Sequence, residues 1–183
     1  VATVSGTTVT ILTAGATDIT ATQAGDANYS AATDVLQALT VSQANQTITF
    51  GPLTGKTFGD APFELTGTAS SGLTLTYTSS NTAVATVSGT TVTILAAGAT
   101  DITATQVGDA NYSAATDVLQ ALTVSQANQT ITFGTLTGKN IGEVVFSVRC
   151  VKSTGLTLTY ASSNTAVATV SGTTVTILAA GAT

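Results

Sequence analysis

The sequence predicts an all-β chain made of tandem two-sheet sandwiches. Three observations lead there: a composition rich in β-branched residues, a long internal repeat without gaps, and apolar residues alternating with Thr or Ser over short runs. Thr is the most frequent residue, Val, Ala and Ser are common, and only 7% of residues are charged, while 43% are hydrophobic. Thr and Val are stiff at χ1 and suit pleated, half-buried strands. Helix-forming Glu, Lys, Arg and Met are almost absent, so exposed faces carry hydroxyls in place of charges.

The repeat organises everything else. The run Val1-Ala2-Thr3-Val4-Ser5-Gly6-Thr7-Thr8-Val9-Thr10-Ile11-Leu12 returns at Val84 and at Val167, a constant spacing of 83 residues. That is too long for a solenoid unit and right for a small sandwich domain. Residues 1–43 differ from 84–126 only at Thr13/Ala96 and Ala24/Val107. The expected organisation is the back part of one copy at 1–43, a complete copy at 44–126, and the front part of a third at 127–183. Residues 1–17 and 167–183 differ only at Thr13/Ala179, so the chain is expected to be an excerpt of a longer array.

Within the complete copy, seven strands are expected. Thr47–Phe50 comes first, with Ile48 and Phe50 inward. Phe63–Thr68 follows with Phe63 and Leu65 inward, then Leu73–Thr78 with Leu73, Leu75 and Tyr77. Ala83–Val87 is short, and Ser88-Gly89-Thr90 turns the chain into Thr91–Leu95, where Val92 and Ile94 point in. Thr100–Gln106 buries Ile102 and Ala104, and Thr116–Val124 buries Val118, Leu122 and Val124. Seven short strands between Gly and Ser-Asn turns indicate a sandwich, with a barrel as the alternative. The join Ser125-Gln126-Ala127-Asn128 is short and lacks Gly and Pro, which favours stiff stacking.

One segment departs from the repeat. Asn140–Thr154 replaces Thr57–Ser71 at equal length, and only Gly142, Phe146 and Ser153 keep the residue of the earlier copy. Phe146, Val148 and Cys150 still share one parity, so it can serve as the same strand.

Several functions are disfavoured at once. The net charge is −5 and no basic stripe exists, so the footprint of a nucleic-acid binder is missing. The chain has 0 His, which removes the commonest general base and metal ligand. No nucleophile–base pair, phosphate loop or metal cluster is visible, and an enzyme is not expected. A single cysteine, Cys150, cannot close an intrachain disulfide, so core packing alone must hold each copy.

Five sets of residues invite a functional reading beside an ordinary one. Asp101, Asp109 and Asp117, recurring as Asp18, Asp26 and Asp34, offer oxygen ligands for Ca²⁺; turn chemistry is the ordinary alternative, and no cofactor is otherwise expected. Lys56 with Asp60 and Glu64 suggests an isopeptide cross-link, against a solvated strand edge. Thr-x-Thr runs such as Thr91-Val92-Thr93 suggest a flat array for glycan or ice, against the outer face of a half-buried strand. Tyr112 suggests a glycan contact, against a plug at the end of the sandwich; Cys150 suggests a reactive thiol, against a small core filler.

The run Ser79-Ser80-Asn81-Thr82-Ala83-Val84-Ala85-Thr86-Val87-Ser88-Gly89, with Val92-Thr93 and Ala97-Gly98-Ala99-Thr100-Asp101-Ile102-Thr103-Ala104, resembles the bacterial immunoglobulin-like group 2 signature. Gln46-Thr47-Ile48-Thr49-Phe50, Gly55-Lys56-Thr57-Phe58-Gly59-Asp60 and Gly108-Asp109-Ala110-Asn111-Tyr112 resemble the long immunoglobulin-like arrays of Bacteroidetes surface proteins. The resemblance covers nearly all of the chain except Asn140–Thr154. It implies immunoglobulin-like sandwiches in the shaft of a secreted surface adhesin, outside a bacterial cell. The implied partners are neighbouring repeats, a glycan or host surface, and a secretion machinery. Assembly of a fibre by strand complementation is a further reading, since the chain opens and closes at the same point of the repeat.

Overall fold

The structure is a computed structural model that describes residues 1–143 and 145–182. Val144, in the divergent segment, and the terminal Thr183 lie outside the described residues. The fold is all-β, with no helix among the described residues. The chain divides into two compact units, Val1–Ala127 and Asn128–Thr183; the copies read at 1–43 and 44–126 both fall in the first.

The first unit opens with two hairpins. Strands β1 (Ala2–Ser5) and β2 (Thr8–Ile11) pair antiparallel, as do β3 (Gly15–Ala21) and β4 (Val35–Val41). Nine strands follow: β5 (Ile48–Thr49), β6 (Lys56–Thr57), β7 (Phe63–Glu64), β8 (Thr68–Ala69), β9 (Thr76–Ser79), β10 (Ala85–Ser88), β11 (Thr91–Ile94), β12 (Gly98–Thr105) and β13 (Val118–Ser125). They form a four-stranded sheet in the order β6-β13-β12-β9, a three-stranded sheet β10-β11-β7, and the pair β5-β8. One buried cluster draws on all of these regions. Phe50, Leu65 and Leu75 flank it, Ala85 and Val92 come from the three-stranded sheet, and Ile102, Ala104, Leu122 and Val124 come from the four-stranded one. Phe50 meets Tyr77 edge-on with ring centroids 5.4 Å apart, a favourable aromatic geometry.

The second unit holds β14 (Ile131–Phe133), β15 (Phe146–Ser147), β16 (Cys150–Lys152), β17 (Ala168–Ser171) and β18 (Thr174–Ile177). These pair as β14-β16 and β15-β18-β17. Strands β1, β10 and β17 begin at Ala2, Ala85 and Ala168, so strand positions follow the 83-residue spacing of the sequence.

The inward parities expected for the complete copy agree with the burial pattern, but several strand bounds do not. Phe63–Thr68 is not one strand. Phe63 pairs with Val92, Thr68 pairs with Thr49, and these ladders belong to different sheets. The chain changes sheets at Leu65-Thr66-Gly67, where a Cβ on Gly67 would lie 2.5 Å from the Tyr77 hydroxyl, so Gly67 lets the Tyr77 side chain pack close to the crossing. In the segment read as Leu73–Thr78, the ladder runs over Thr76–Ser79 instead. Leu73 and Leu75 still alternate inward, held by packing without backbone pairing. Ala83 and Val84 form a turn, because Asn81 accepts their N–H groups at 3.2 Å through Oδ1 and 3.1 Å through its carbonyl. Strand β6 was not expected at all. Lys56 and Thr57 run parallel to Val124 and Ser125, a long-range pairing with no local periodicity to announce it.

Candidate functional site

A set of polar contacts in the first unit lies where residues 1–43 meet the copy read at 44–126. It is built on the loop Gln106–Ser113, which follows β12. Gln106 continues the inward parity of Ile102 and Ala104 and is buried. A buried amide must satisfy both ends. Its Nε2 donates to the Thr74 carbonyl at 3.0 Å, and its Oε1 accepts the Gly108 N–H and, at 3.2 Å, the Gln46 Nε2. Gln46, also buried, donates to the Ser113 carbonyl at 2.7 Å and accepts from the Ser71 hydroxyl. Among the described residues no buried side-chain nitrogen or oxygen lacks a partner.

Asp109 shapes the tip of the loop. Its Oδ1 accepts the N–H groups of Asn111 and Tyr112 at 2.8 and 2.9 Å, an Asx turn. Gly108 sits at φ +82°, and a Cβ there would stand 2.3 Å from the Tyr112 carbonyl oxygen. The loop therefore closes only with glycine at this position. The outcome is a shaped edge that grips the preceding segment. Ala44 donates to the Asn111 carbonyl at 2.7 Å and accepts from the Ser113 N–H at 2.9 Å. The Asn111 Oδ1 accepts the Ala14 N–H at 3.0 Å, and Gln43 Nε2 donates to the Asp109 carbonyl at 2.6 Å.

The same loop occurs at Gln23–Ser30 with the same internal bonds. Asp26 Oδ1 accepts from Asn28 at 2.8 Å and from Tyr29 at 2.9 Å. There Tyr29 is 76% exposed, whereas Tyr112 is half-buried. The loop thus holds its shape with or without a segment seated on it.

The three aspartates read as Ca²⁺ candidates are not brought together. Asp101 stands opposite Ala121 in the middle of β12, while Asp117 precedes Val118, which faces Ala104; about 13 Å of strand separates them. Asp109 spends its carboxylate on its own turn. No group of three or more His, Cys, Asp or Glu capable of holding a metal exists among the described residues.

Lys56, Asp60 and Glu64 are likewise engaged apart. The Lys56 ammonium lies 4.7 Å from the centroid of the Phe63 ring, a cation–π contact. Asp60 Oδ2 accepts the Thr57 N–H at 2.8 Å. Glu64 accepts the hydroxyls of Thr90 and Thr91 at 2.5 and 2.6 Å. Those two hydroxyls hold its carboxyl below the usual carboxylate range, Thr90 most of all, against a smaller upward push from burial. This geometry builds a strand-edge clasp in place of an isopeptide triad.

Thr93 is exposed and pairs with Thr86 across the sheet, so that Thr-x-Thr run presents an outer strand face. The residues of the Ser79–Asn81 signature converge on buried Thr100. Its Oγ1 accepts the Asn81 N–H at 2.9 Å and lies 2.8 Å from the Ser79 hydroxyl. Cys150 is half-buried, and its thiol beside the Tyr160 hydroxyl, together with burial, raises that phenol above its ordinary value.

The sequence reading singled out Asp109, Asn111 and Tyr112 but missed Gln46 and Gln106. A signal existed for Gln106, which occupies an inward parity position. None existed for Gln46, nor for the reach of Asn111 to Ala14, since those partners are remote in sequence. Compared with protein-family models, curated proteins and solved structures, the chain has no match in any of the three.

Proposed function

We propose that the chain is a run of immunoglobulin-like sandwich repeats in the shaft of a long bacterial surface protein, where it spaces an adhesive tip from the cell. The copies are 1–43, 44–126 and 127–183. The observation that carries this reading is the grip of the Gln106–Ser113 loop on the preceding copy, where the Ala14 N–H is tied to the Asn111 side chain and the Gln43 side chain to the Asp109 carbonyl. Hydrogen bonds across a short join restrain both bending and rotation, and a string of such joins gains length in proportion to copy number. The near-identity of the copies outside Asn140–Thr154 favours a mechanical role, because no copy carries a private set of reactive groups in those regions. The extracellular setting rests on the resemblance of residues 79–104 to the group 2 signature and on exposed faces rich in Thr and Ser.

Electron microscopy of chains with three, six and nine copies tests the proposal. Rods are expected to lengthen by a fixed increment per copy, on the order of 30–40 Å. Compact particles whose longest dimension does not grow with copy number would sink it.

A further inference from the structure

The chain enters the complete copy at Ala44 and leaves it at Ser125, and the entering and leaving segments run side by side. Ala44 bridges Tyr112 in parallel, and Lys56 and Thr57 run parallel to Val124 and Ser125. The sequence offset is the same in all three pairs, so residues 44–57 hold one register against residues 112–125, although Ile48 and Thr49 turn aside to pair with β8. Ties occur at both ends and between them. At one end Ala44 donates to the Asn111 carbonyl at 2.7 Å and accepts the Ser113 N–H at 2.9 Å, while Gln46 Nε2 donates to the Ser113 carbonyl at 2.7 Å. In the middle Gln120 Nε2 donates to the Phe50 carbonyl at 2.7 Å. At the far end the Phe58 N–H donates to the Ser125 carbonyl at 2.9 Å.

This alignment fixes how tension acts on the copy. In a tandem array the preceding copy pulls on Ala44 and the following copy pulls on Ser125. Val118 and Ser125 are the two ends of β13, roughly 23 Å apart, and Ala44 lies toward the Val118 end, beside Tyr112. The two pulls are therefore opposed and directed along the strands. The segments must slide past one another, so the ties between them are loaded together; pulled from one end, the same ties would open singly. We infer that residues 44–58 and 112–125 form a shear clamp that bears tension through the copy, a load-bearing function that rests on the tandem shaft proposed above.

The far end of the clamp offers a clean perturbation. Phe58 is second in a turn closed by the Asp60 N–H on the Thr57 carbonyl at 3.0 Å, with Gly59 at φ +96°. Such a type II turn accepts proline at its second position. The Phe58 ring is 50% exposed, so its loss costs little burial. Phe58→Pro therefore removes the tie to Ser125 and leaves the turn in place.

Single-molecule force spectroscopy of the full chain tests the clamp, with handles on exposed Ser42 and Gln126, each replaced by Cys in a Cys150→Ser background. Forced unfolding reads the unfolding rate. Phe58→Pro should unfold about 5-fold faster at equal load, the value of one backbone hydrogen bond. Val92→Ala weakens the buried core away from the clamp and should stay within about twofold of the parent under load, since its contacts persist until the clamp has slipped. Moving the first handle to exposed Ala61 puts both pulls at the Ser125 end, and unfolding should then be at least about 10-fold faster than along the chain axis. Equal rates along the two axes would overturn the inference. So would a Phe58→Pro chain that resists load as the parent does, or a Val92→Ala chain that yields sooner than Phe58→Pro. The comparison of axes alters no residue that makes a tie, so it decides the matter even where Phe58→Pro fails to fold. Rods that lengthen with copy number but show no preferred axis under load would keep the spacing role and remove the clamp.

Discussion

Val92→Ala and Val9→Ala remove the same two methyl groups from the same tetrapeptide, Thr-Val-Thr-Ile, in the same unit. Val92 is 0% exposed and Val9 is 42% exposed. Two methyl groups are worth about 1.6 kcal/mol in transfer free energy when fully buried. At Val92 a cavity term adds about 1 kcal/mol, since β7 and β10 flank β11 on both sides and restrict collapse. The expected loss is about 2.5 kcal/mol, which is roughly 10 °C in melting temperature for a unit of this size. At Val9 just over half of the transfer term applies and water fills the space, so the loss stays below about 1 kcal/mol. Urea titrations followed by far-ultraviolet circular dichroism, run at a dilution where the chain is monomeric, give both values. Equal losses, or a larger loss at Val9, would refute the claim that the complete copy alone supplies the core of the first unit.

Two further outcomes follow from single contacts. Gly98 has φ +150° and its Cβ position lies 2.8 Å from a Val84 methyl, so Gly98→Ala should lower the unfolding midpoint by at least about 1 kcal/mol equivalent; an unchanged midpoint would show that the turn into β12 is looser than described. Glu64 has its folded pKa depressed by the Thr90 and Thr91 hydroxyls. Its stabilising contribution is therefore full above the unfolded carboxyl pKa and is lost as pH falls through the folded value. The parent should exceed Glu64→Gln in stability at neutral pH, and the two should converge in acid; a gap that widens on acidification would contradict the assignment.

Strand faces were legible because period-2 alternation survives wherever one face is buried. Ile102 and Ala104, or Leu122 and Val124, needed only their parity to be placed. Strand bounds were less so. The break between Phe63–Glu64 and Thr68–Ala69 depends on two different partner strands, and β6 exists because Ser125 and Val124 run beside it. The polar joint was the hardest to see. Asp109 announces a turn, but that Asn111 reaches Ala14, 97 positions away in sequence, is written in no local pattern.

Sequence alone determined which residues can pair and which side of each strand is apolar, since these follow from side-chain chemistry and backbone pleat. Only tertiary structure decided which apolar side is covered. Val9, Val92 and Val175 sit in the same tetrapeptide, yet they are 42%, 0% and 8% exposed. Burial belongs to two surfaces at once, and a strand's own residues encode only one of them.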